Sequence, residues 1–148
     1  MKLQKNTLFA LCSVLEAASR PDEALSTAEI ARRYGISPHH LAKVLRALAR
    51  ARIVESARGV GGGYRFAGNA RRLTLMDVVQ LFEHIGARER PRGGRRRGGA
   101  AAVERALATV LSEIDEIAKA TLQSITIATL LKLVARQTGG EAARTRPG

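Results

Sequence analysis

Apolar residues recur every three or four positions over most of this chain, a period that predicts helices. The first run predicts a helix from about Thr7 to Ser19. Ser26 and Glu29 then stand three residues apart, the spacing of a capping box, and predict a second helix of about two turns. That helix is expected to end at Gly35. We predict that Ser37 caps a third helix.

The third helix is predicted to have two contrasting faces. Its apolar side chains fall on one side, at Leu41, Val44, Leu45 and Leu48. Its basic side chains lie about half a revolution away, at His39, Lys43, Arg46 and Arg50. The pattern therefore predicts a core face and a cationic face on one helix.

After Arg52 the period changes from helical to alternating. Residues 53–57 and 64–66 predict two short strands, joined by a flexible, basic tip at residues 58–63. Thr74 and Asp77 then form another cap, ahead of a fourth helix that is expected to include Ile85 and to end near Gly86. A helix-turn-helix followed by a two-stranded hairpin is thus predicted for residues 26–66.

The second half of the chain predicts a long helix from Ala100 to about Leu122 and a shorter one capped by Thr126. The long helix carries apolar residues at spacings of four and three, the pattern of a packed helical seam. These are Val103, Leu107, Val110, Ile114 and Ile117.

We predict a mainly α fold: a winged helix-turn-helix domain with a two-stranded wing, and a long C-terminal dimerisation helix. The expected divisions are a DNA-binding domain at 1–86, a mobile Arg/Gly-rich loop at 87–99, dimerisation helices at 100–137 and a disordered tail at 138–148.

Charge points to a polyanionic partner. The net charge is +12, from 25 Lys and Arg against 13 Asp and Glu. Aromatic residues make up 3% of the chain, too few for the stacking platforms that bind single strands, so double-stranded DNA is the favoured partner. We find no pattern of a membrane span or an export signal, and therefore expect a cytoplasmic protein that does not bind membranes. No catalytic set or metal-ligand cluster emerges either, so an enzyme is not expected.

The predicted DNA contacts lie at the start of the third helix, along its cationic face and in the hairpin. A helix N-terminus with free amide hydrogens suits a phosphate, and the basic side chains suit base edges and backbone. A basic hairpin tip suits the minor groove or a phosphate. The predicted residues are Ser37, Pro38, His39, His40, Lys43, Arg46, Arg50, Arg58, Gly59 and Arg65.

Each of these features also has a simpler interpretation. A basic helix face is often only solvated, and a glycine cluster between strands is often only a turn. An alternative function is a basic RNA-associated or non-specific nucleic-acid-binding structural protein, in which the Arg-rich loop does the binding. The consecutive order of turn, basic helix and basic hairpin favours sequence-specific DNA binding.

Three segments resemble the Rrf2 family of bacterial winged-helix transcription regulators. They are Ile30-Ala31-Arg32-Arg33-Tyr34-Gly35-Ile36-Ser37, the run from Leu41 to Leu48, and Ser56-Ala57-Arg58-Gly59-Val60-Gly61-Gly62-Gly63-Tyr64. The opening Met1-Lys2-Leu3 and the segment from Leu73 to Val79 are also similar, so that the resemblance runs from residue 1 to about 134. It implies a homodimer that binds pseudo-palindromic promoter sites, as a repressor or an activator.

Many members of this family hold an iron-sulfur cluster through three cysteines in the loop before the long helix. This chain has none there: its loop carries Arg88, Arg90, Arg92, Arg95, Arg96 and Arg97. We therefore expect no cofactor and no metal site, and the sequence identifies no effector. The single cysteine, Cys12, is expected to be a buried structural thiol; a redox-responsive Cys12, or an intersubunit site that pairs it with His84, is the alternative.

Overall fold

A computed structural model describes residues 2–85 and 98–144 of the chain. It is mainly helical, with one two-stranded antiparallel sheet. The predicted mobile loop at 87–99 lies almost entirely outside the described residues, as does the tail beyond residue 144. In chain order the elements are α1 (Lys5–Ser19), α2 (Thr27–Tyr34), α3 (Pro38–Arg50), β1 (Val54–Ala57), β2 (Gly63–Phe66), α4 (Leu75–Val79), α5 (Gly99–Ser124) and α6 (Ile127–Arg144).

The helix-turn-helix forms where the capping pattern predicts it. The Ser26 side chain accepts a hydrogen bond from the Glu29 backbone at 3.0 Å, and α2 ends at Gly35 with φ of 63°. Ser37 is the N-cap residue of α3, but its side chain makes no capping hydrogen bond, so the prediction of a side-chain cap is wrong. Only its carbonyl takes part, by accepting from Leu41 N at 2.9 Å.

One core joins the helix-turn-helix, the wing and the start of α6. It contains the four residues that the pattern placed on the apolar face of α3, and all four are buried. Other helices contribute Val14, Ile30, Val78 and Ile127, and the connections and β1 contribute Leu25, Ile53 and Val54. Burial of a side chain of this size contributes about 1.5–3 kcal/mol. The orientation of α3 is therefore determined by its apolar face, and its basic face is left outward.

The wing is an antiparallel hairpin that is joined to the helix-turn-helix through its second strand. Val54 pairs with Phe66 and Ala57 with Gly63. Leu25, in the connection between α1 and α2, exchanges two backbone hydrogen bonds of 2.8 Å with Tyr64. This bridge adds a third, one-residue strand to the sheet and holds the wing against the start of α2.

The fourth helix is shorter than predicted. Its capping box is present, with Thr74 and Asp77 bonded in both directions, but α4 ends at Val79 instead of continuing through Ile85. The chain then tightens into turns, because Phe82 N bonds the Val79 carbonyl. The turns bring the Glu83 carboxylate to the start of α1, where it accepts from the Gln4 backbone at 2.6 Å and from the Thr7 hydroxyl at 2.7 Å. A carboxylate there stabilises the positive end of the helix dipole.

The last helix is longer than predicted. Thr126 caps it by accepting from the Thr129 backbone at 3.2 Å, as expected. It continues to Arg144, however, so the predicted disorder is wrong for residues 138–144. No proline occurs between Thr126 and Pro147, and the two glycines at 139 and 140 cost only about 1 kcal/mol each. Within the described ranges, none of the helices combines the length and apolar character needed to span a membrane.

We expect Gly63→Ala to destabilise the fold by about 2–3 kcal/mol, because a Cβ at this position would lie 2.2 Å from the Leu25 carbonyl oxygen and would force the bridge apart. The matched control is Gly61→Ala, where the added Cβ meets nothing within 4 Å and only the positive φ of 78° opposes it, at about 1 kcal/mol. Urea unfolding measures both. Equal losses in the two variants would contradict the proposed role of the close approach.

Candidate nucleic-acid interface

The outward face of α3 is basic over its whole length. Each side chain that the pattern placed there is exposed, namely His39, Lys43, Arg46 and Arg50. Arg46 Nε donates to the Ala42 carbonyl at 3.3 Å, which orients its guanidinium along the helix. The predicted division of α3 into a core face and a cationic face is confirmed.

The N-terminal end of α3 is open to solvent. Ser37 and Pro38 are both exposed, and the Ser37 hydroxyl is not used for capping. The first-turn amide hydrogens of a helix have no partner within the helix, and they give this end a partial positive charge. This end of α3 therefore has the properties of an anion-binding site.

His40 differs from the other predicted contacts because it faces α1. Its Nε2 atom forms a hydrogen bond with Asn6 Oδ1, and its ring packs edge-to-face on Phe9, with ring centroids 5.6 Å apart. The structure thus gives His40 a contact that orients α3 on α1. His39 lacks such a contact in the part of the chain that the structure describes.

A cleft separates the second half of α3 from the wing. The basic side chains Lys43, Arg46 and Arg50 form one wall. Ser56 and Tyr64, which are cross-strand partners in the hairpin, form the other. The cleft combines three cationic groups with two hydroxyls, a set of donors that suits phosphate oxygens.

The remaining wing residues lie at the tip and on the opposite face of the hairpin. Arg58 and Gly59 are exposed at the tip. Arg65 is half-buried and pairs across the sheet with Glu55, one position out of step with the cleft residues, so it points to the other face. Its Nε atom is buried and has no hydrogen-bond partner. The structure does not bring Arg65 together with Lys43, Arg46 and Arg50.

Ser56 and Tyr64 are the interface residues that the sequence interpretation missed. The signal was present in the strand pattern, because alternate strand residues share a face. Val54 and Phe66 belong to the inward face, and Ser56 and Tyr64 follow them at a spacing of two. The sequence interpretation selected residues by charge, and the hydroxyl groups of Ser56 and Tyr64 are neutral.

An ionic cluster around the buried carboxylate of Glu16 connects α1 to α2. The Glu16 side chain, 7% exposed, accepts from Arg20 at 2.6 Å and from the Tyr34 hydroxyl at 2.8 Å, and it forms an ion pair with Arg33 at 3.1 Å. Burial raises the pKa of Glu16, but the hydrogen bonds from Tyr34 and Arg20 and the charges of both arginines outweigh it and leave the pKa below its ordinary value. Burial and the Glu16 carboxylate raise the pKa of Tyr34 to about 12.

Cys12 lies one helical turn before Glu16 and is half-buried. Burial raises the pKa of its thiol, a backbone hydrogen bond lowers it, and the Glu16 charge raises it; the net result is a pKa above the ordinary value. Oxidation and metal binding require the thiolate, so this environment disfavours both.

A second surface is the apolar seam of α5. The five residues Val103, Leu107, Val110, Ile114 and Ile117 are between 53% and 68% exposed. Leu122 is the one buried residue of this 26-residue helix. The described part of the chain, residues 2–85 and 98–144, leaves this apolar face uncovered, whereas it buries the corresponding face of α3.

The helix-turn-helix, the outward basic helix and the adjoining hairpin define a winged-helix DNA-binding protein. Over residues 3–133 the chain matches the Rrf2 family model, described as an iron-dependent transcriptional regulator. The chain belongs to the Rrf2 family, and it is a transcriptional regulator and not an enzyme.

Relatives and solved structures agree with this assignment. The chain is 51% identical over 134 residues to BadM of Rhodopseudomonas palustris, described as an HTH-type transcriptional regulator, and the match covers 90% of this chain and 83% of that protein. The structure is similar to that of a transcriptional regulator from Listeria innocua, with a TM-score of 0.69, 28% identity and coverage of 89% and 87%. It also shares its fold with CymR, the global cysteine regulator of B. subtilis, with a TM-score of 0.68, 22% identity and coverage of 90% and 98%.

The iron dependence named for the family requires a set of ligands. Iron-sulfur clusters are held mainly by cysteine thiolates, usually four of them. This chain has one cysteine, which is half-buried on α1 with a raised pKa. Its residues therefore do not fit a cysteine-ligated cluster.

We expect Glu16→Gln to lower the free energy of unfolding at neutral pH by about 1–3 kcal/mol, because it weakens three charge-assisted contacts. It should also flatten the loss of stability in acid. A carboxyl whose pKa is lowered by folding contributes fully above its ordinary value of 4.5, and the contribution is lost as the pH falls through the lower pKa of the folded state.

Chemical unfolding at a series of pH values measures this effect. The control is Glu23→Gln, whose exposed carboxylate makes one 3.3 Å contact with Arg20 and should change little. If the free energy of unfolding of Glu16→Gln fell with decreasing pH as steeply as that of the unchanged protein, the proposed contribution of the Glu16 carboxylate would be contradicted.

Proposed function

We propose that this regulator acts as a homodimer without an iron-sulfur cluster, and that it binds a pseudo-palindromic promoter site with two copies of α3. The observation that carries the proposal is the continuous basic surface from α3 into the cleft beside the wing. Its three cations lie on a helix whose other face is buried, so all three side chains point away from the core on the same side of the domain.

The dimensions of α3 suit the major groove. Its 13 residues give a length of about 20 Å, and the groove is about 12 Å wide, enough for one helix. His39 and Lys43, nearer the N-terminal end, are assigned to base edges. Arg46 and Arg50, with Ser56 and Tyr64 across the cleft, are assigned to phosphates.

The ends of this surface complete the proposed contact. At the N-terminal end of α3, the Ser37 hydroxyl and the free amide hydrogens of the residues after Pro38, which has none itself, are assigned to a phosphate. Arg58 and Gly59 bring the tip of the wing to the adjacent minor groove. Arg65 supports the wing from its outer face and is not assigned a contact in the cleft.

Dimerisation is supported by the uncovered seam of α5. Five large apolar side chains, each more than half exposed, form one stripe along a helix of 26 residues. A second copy of the same helix offers a complementary stripe, and packing the two removes both from water. Two recognition helices related by a two-fold axis then match half-sites about one helical turn apart.

The absence of a cluster is proposed from the donor set. One half-buried thiol with a raised pKa is a poor ligand, and arginines occupy the sequence region where many members of the family place cysteines. Switching therefore depends on something other than a cysteine-ligated cluster.

Selection of bound duplexes from a random pool, run with and without oxidant, tests the DNA-binding proposal. We expect a pseudo-palindromic sequence in both arms. The logarithm of the binding constant for this sequence should fall linearly with the logarithm of the salt concentration. About 6–10 phosphate contacts give a slope of about −5 to −9. Enrichment of no sequence would refute specific binding, and enrichment that is lost on oxidation would point to Cys12 as a sensor.

We expect Ile114→Glu to convert the dimer to monomers and to reduce operator affinity at least about 100-fold, because a charge in a helical seam is buried without a partner. Sedimentation velocity and DNA titration measure the two effects. The control is Ser112→Glu, which adds the same charge two residues away, on the opposite face of α5. A dimeric Ile114→Glu would overturn the proposed seam.

A further inference from the structure

The tip of the wing exposes one apolar side chain completely. Val60 has a relative exposure of 112%, the highest of the large apolar residues that the structure leaves exposed. Gly62 N bonds the Gly59 carbonyl at 2.9 Å, and Gly61 has φ of 78°. These values define a type II turn with Val60 at its second position, so the isopropyl group stands at the apex.

The turn itself does not require valine. The second position of a type II turn accepts most residues and favours proline, whereas the positive φ falls on Gly61. An apolar group at an apex gains nothing from the fold, since it contacts no core. Its isopropyl group is therefore free to contact a partner.

The wing holds this apex in a defined direction. The two Leu25–Tyr64 hydrogen bonds fix β2, and Ala67 N bonds the Ile53 carbonyl at 3.0 Å to close the base of the hairpin. Tyr64 also lines the cleft with the cations of α3. The apex therefore extends from the domain at a fixed position relative to the basic surface.

The minor groove is the part of the duplex that suits this apex. It is about 6 Å wide, its walls are sugar carbons and hydrogens, and its floor differs between base pairs. A·T pairs present only acceptors there, whereas G·C pairs add the 2-amino group of guanine. An isopropyl group covers acceptors over either kind of pair, but over a G·C pair it also covers an amino donor that it cannot satisfy.

We propose that Val60 enters the minor groove beside each half-site and excludes guanine by covering its 2-amino group. The inference rests on the proposed DNA binding. It divides the tip into two roles: Arg58 supplies charge, which strengthens binding to any sequence, and Val60 supplies selectivity for A·T pairs. A donor that is covered and left without a partner costs about tenfold in affinity.

The test replaces the A·T pairs that selection finds at the flanks of the site by G·C or by inosine·C, which lacks the 2-amino group. For the unchanged protein we expect G·C to reduce affinity about tenfold and inosine·C to restore it. For Val60→Thr, which keeps the shape and adds a hydroxyl that accepts from the amino group, we expect the G·C penalty to fall below about twofold. The salt slope should not change, because Val60 contacts no phosphate.

Arg58→Ala is the control. It should weaken binding to all three duplexes and reduce the salt slope by about one, while the difference between G·C and inosine·C persists. The inference is overturned if selection shows no A·T preference at the flanks, if inosine·C binds as weakly as G·C, or if Val60→Thr keeps the full penalty. Each of these results leaves the α3 half-sites in place, whereas failure of the proposed function removes the half-sites themselves.

Discussion

Two backbone hydrogen bonds between Leu25 and Tyr64 determine how the wing lies against the helix-turn-helix. They add to the packing of Val54 and Phe66 against the core, and together these contacts stabilise a two-stranded hairpin that would be marginally stable in water by itself. Gly63 permits the close approach, since any larger residue would collide with the Leu25 carbonyl. The cleft, the direction of the wing and the position of its apex all follow from this contact between segments about 40 residues apart.

Local patterns predicted the elements whose causes are local. The two faces of α3 follow from the spacing of Leu41, Val44, Leu45 and Leu48, and the cap at Thr74 follows from Asp77 three residues later. Both are present in the structure. Where the prediction failed, the cause was either a contact with a residue distant in the chain or a small difference in free energy between helix and coil. Glu83 leaves the helical path and meets Gln4, 79 residues away, and the end of α6 depended on whether two glycines could interrupt a favourable helix.

The sequence predicted the charged residues of the candidate interface, and it missed the neutral residues that line the same cleft. Arginine and lysine are recognised as possible DNA contacts from the sequence alone. Ser56 and Tyr64 can be recognised only when the register of the hairpin, which places them opposite α3, is known. Contact with α1 also separates His40 from His39, although the two are adjacent in the sequence. That contact spans 34 residues, beyond the range of any periodicity. Which of two neighbouring histidines faces outward is a tertiary property.

The connection between α5 and α6 is bonded on both sides to the segment that begins α4. Leu75 N bonds the Ile125 carbonyl and Ile127 N bonds the Leu73 carbonyl, each at 2.8 Å. This joint attaches the long helix firmly to the DNA-binding domain at one end. A helix of 26 residues is about 39 Å long, so a rotation of about 5° at the joint displaces its far end by about 3 Å, close to the rise of one base pair. In a dimer held through α5, a small angular change at this joint is therefore enough to move the two recognition helices out of phase with the turns of DNA.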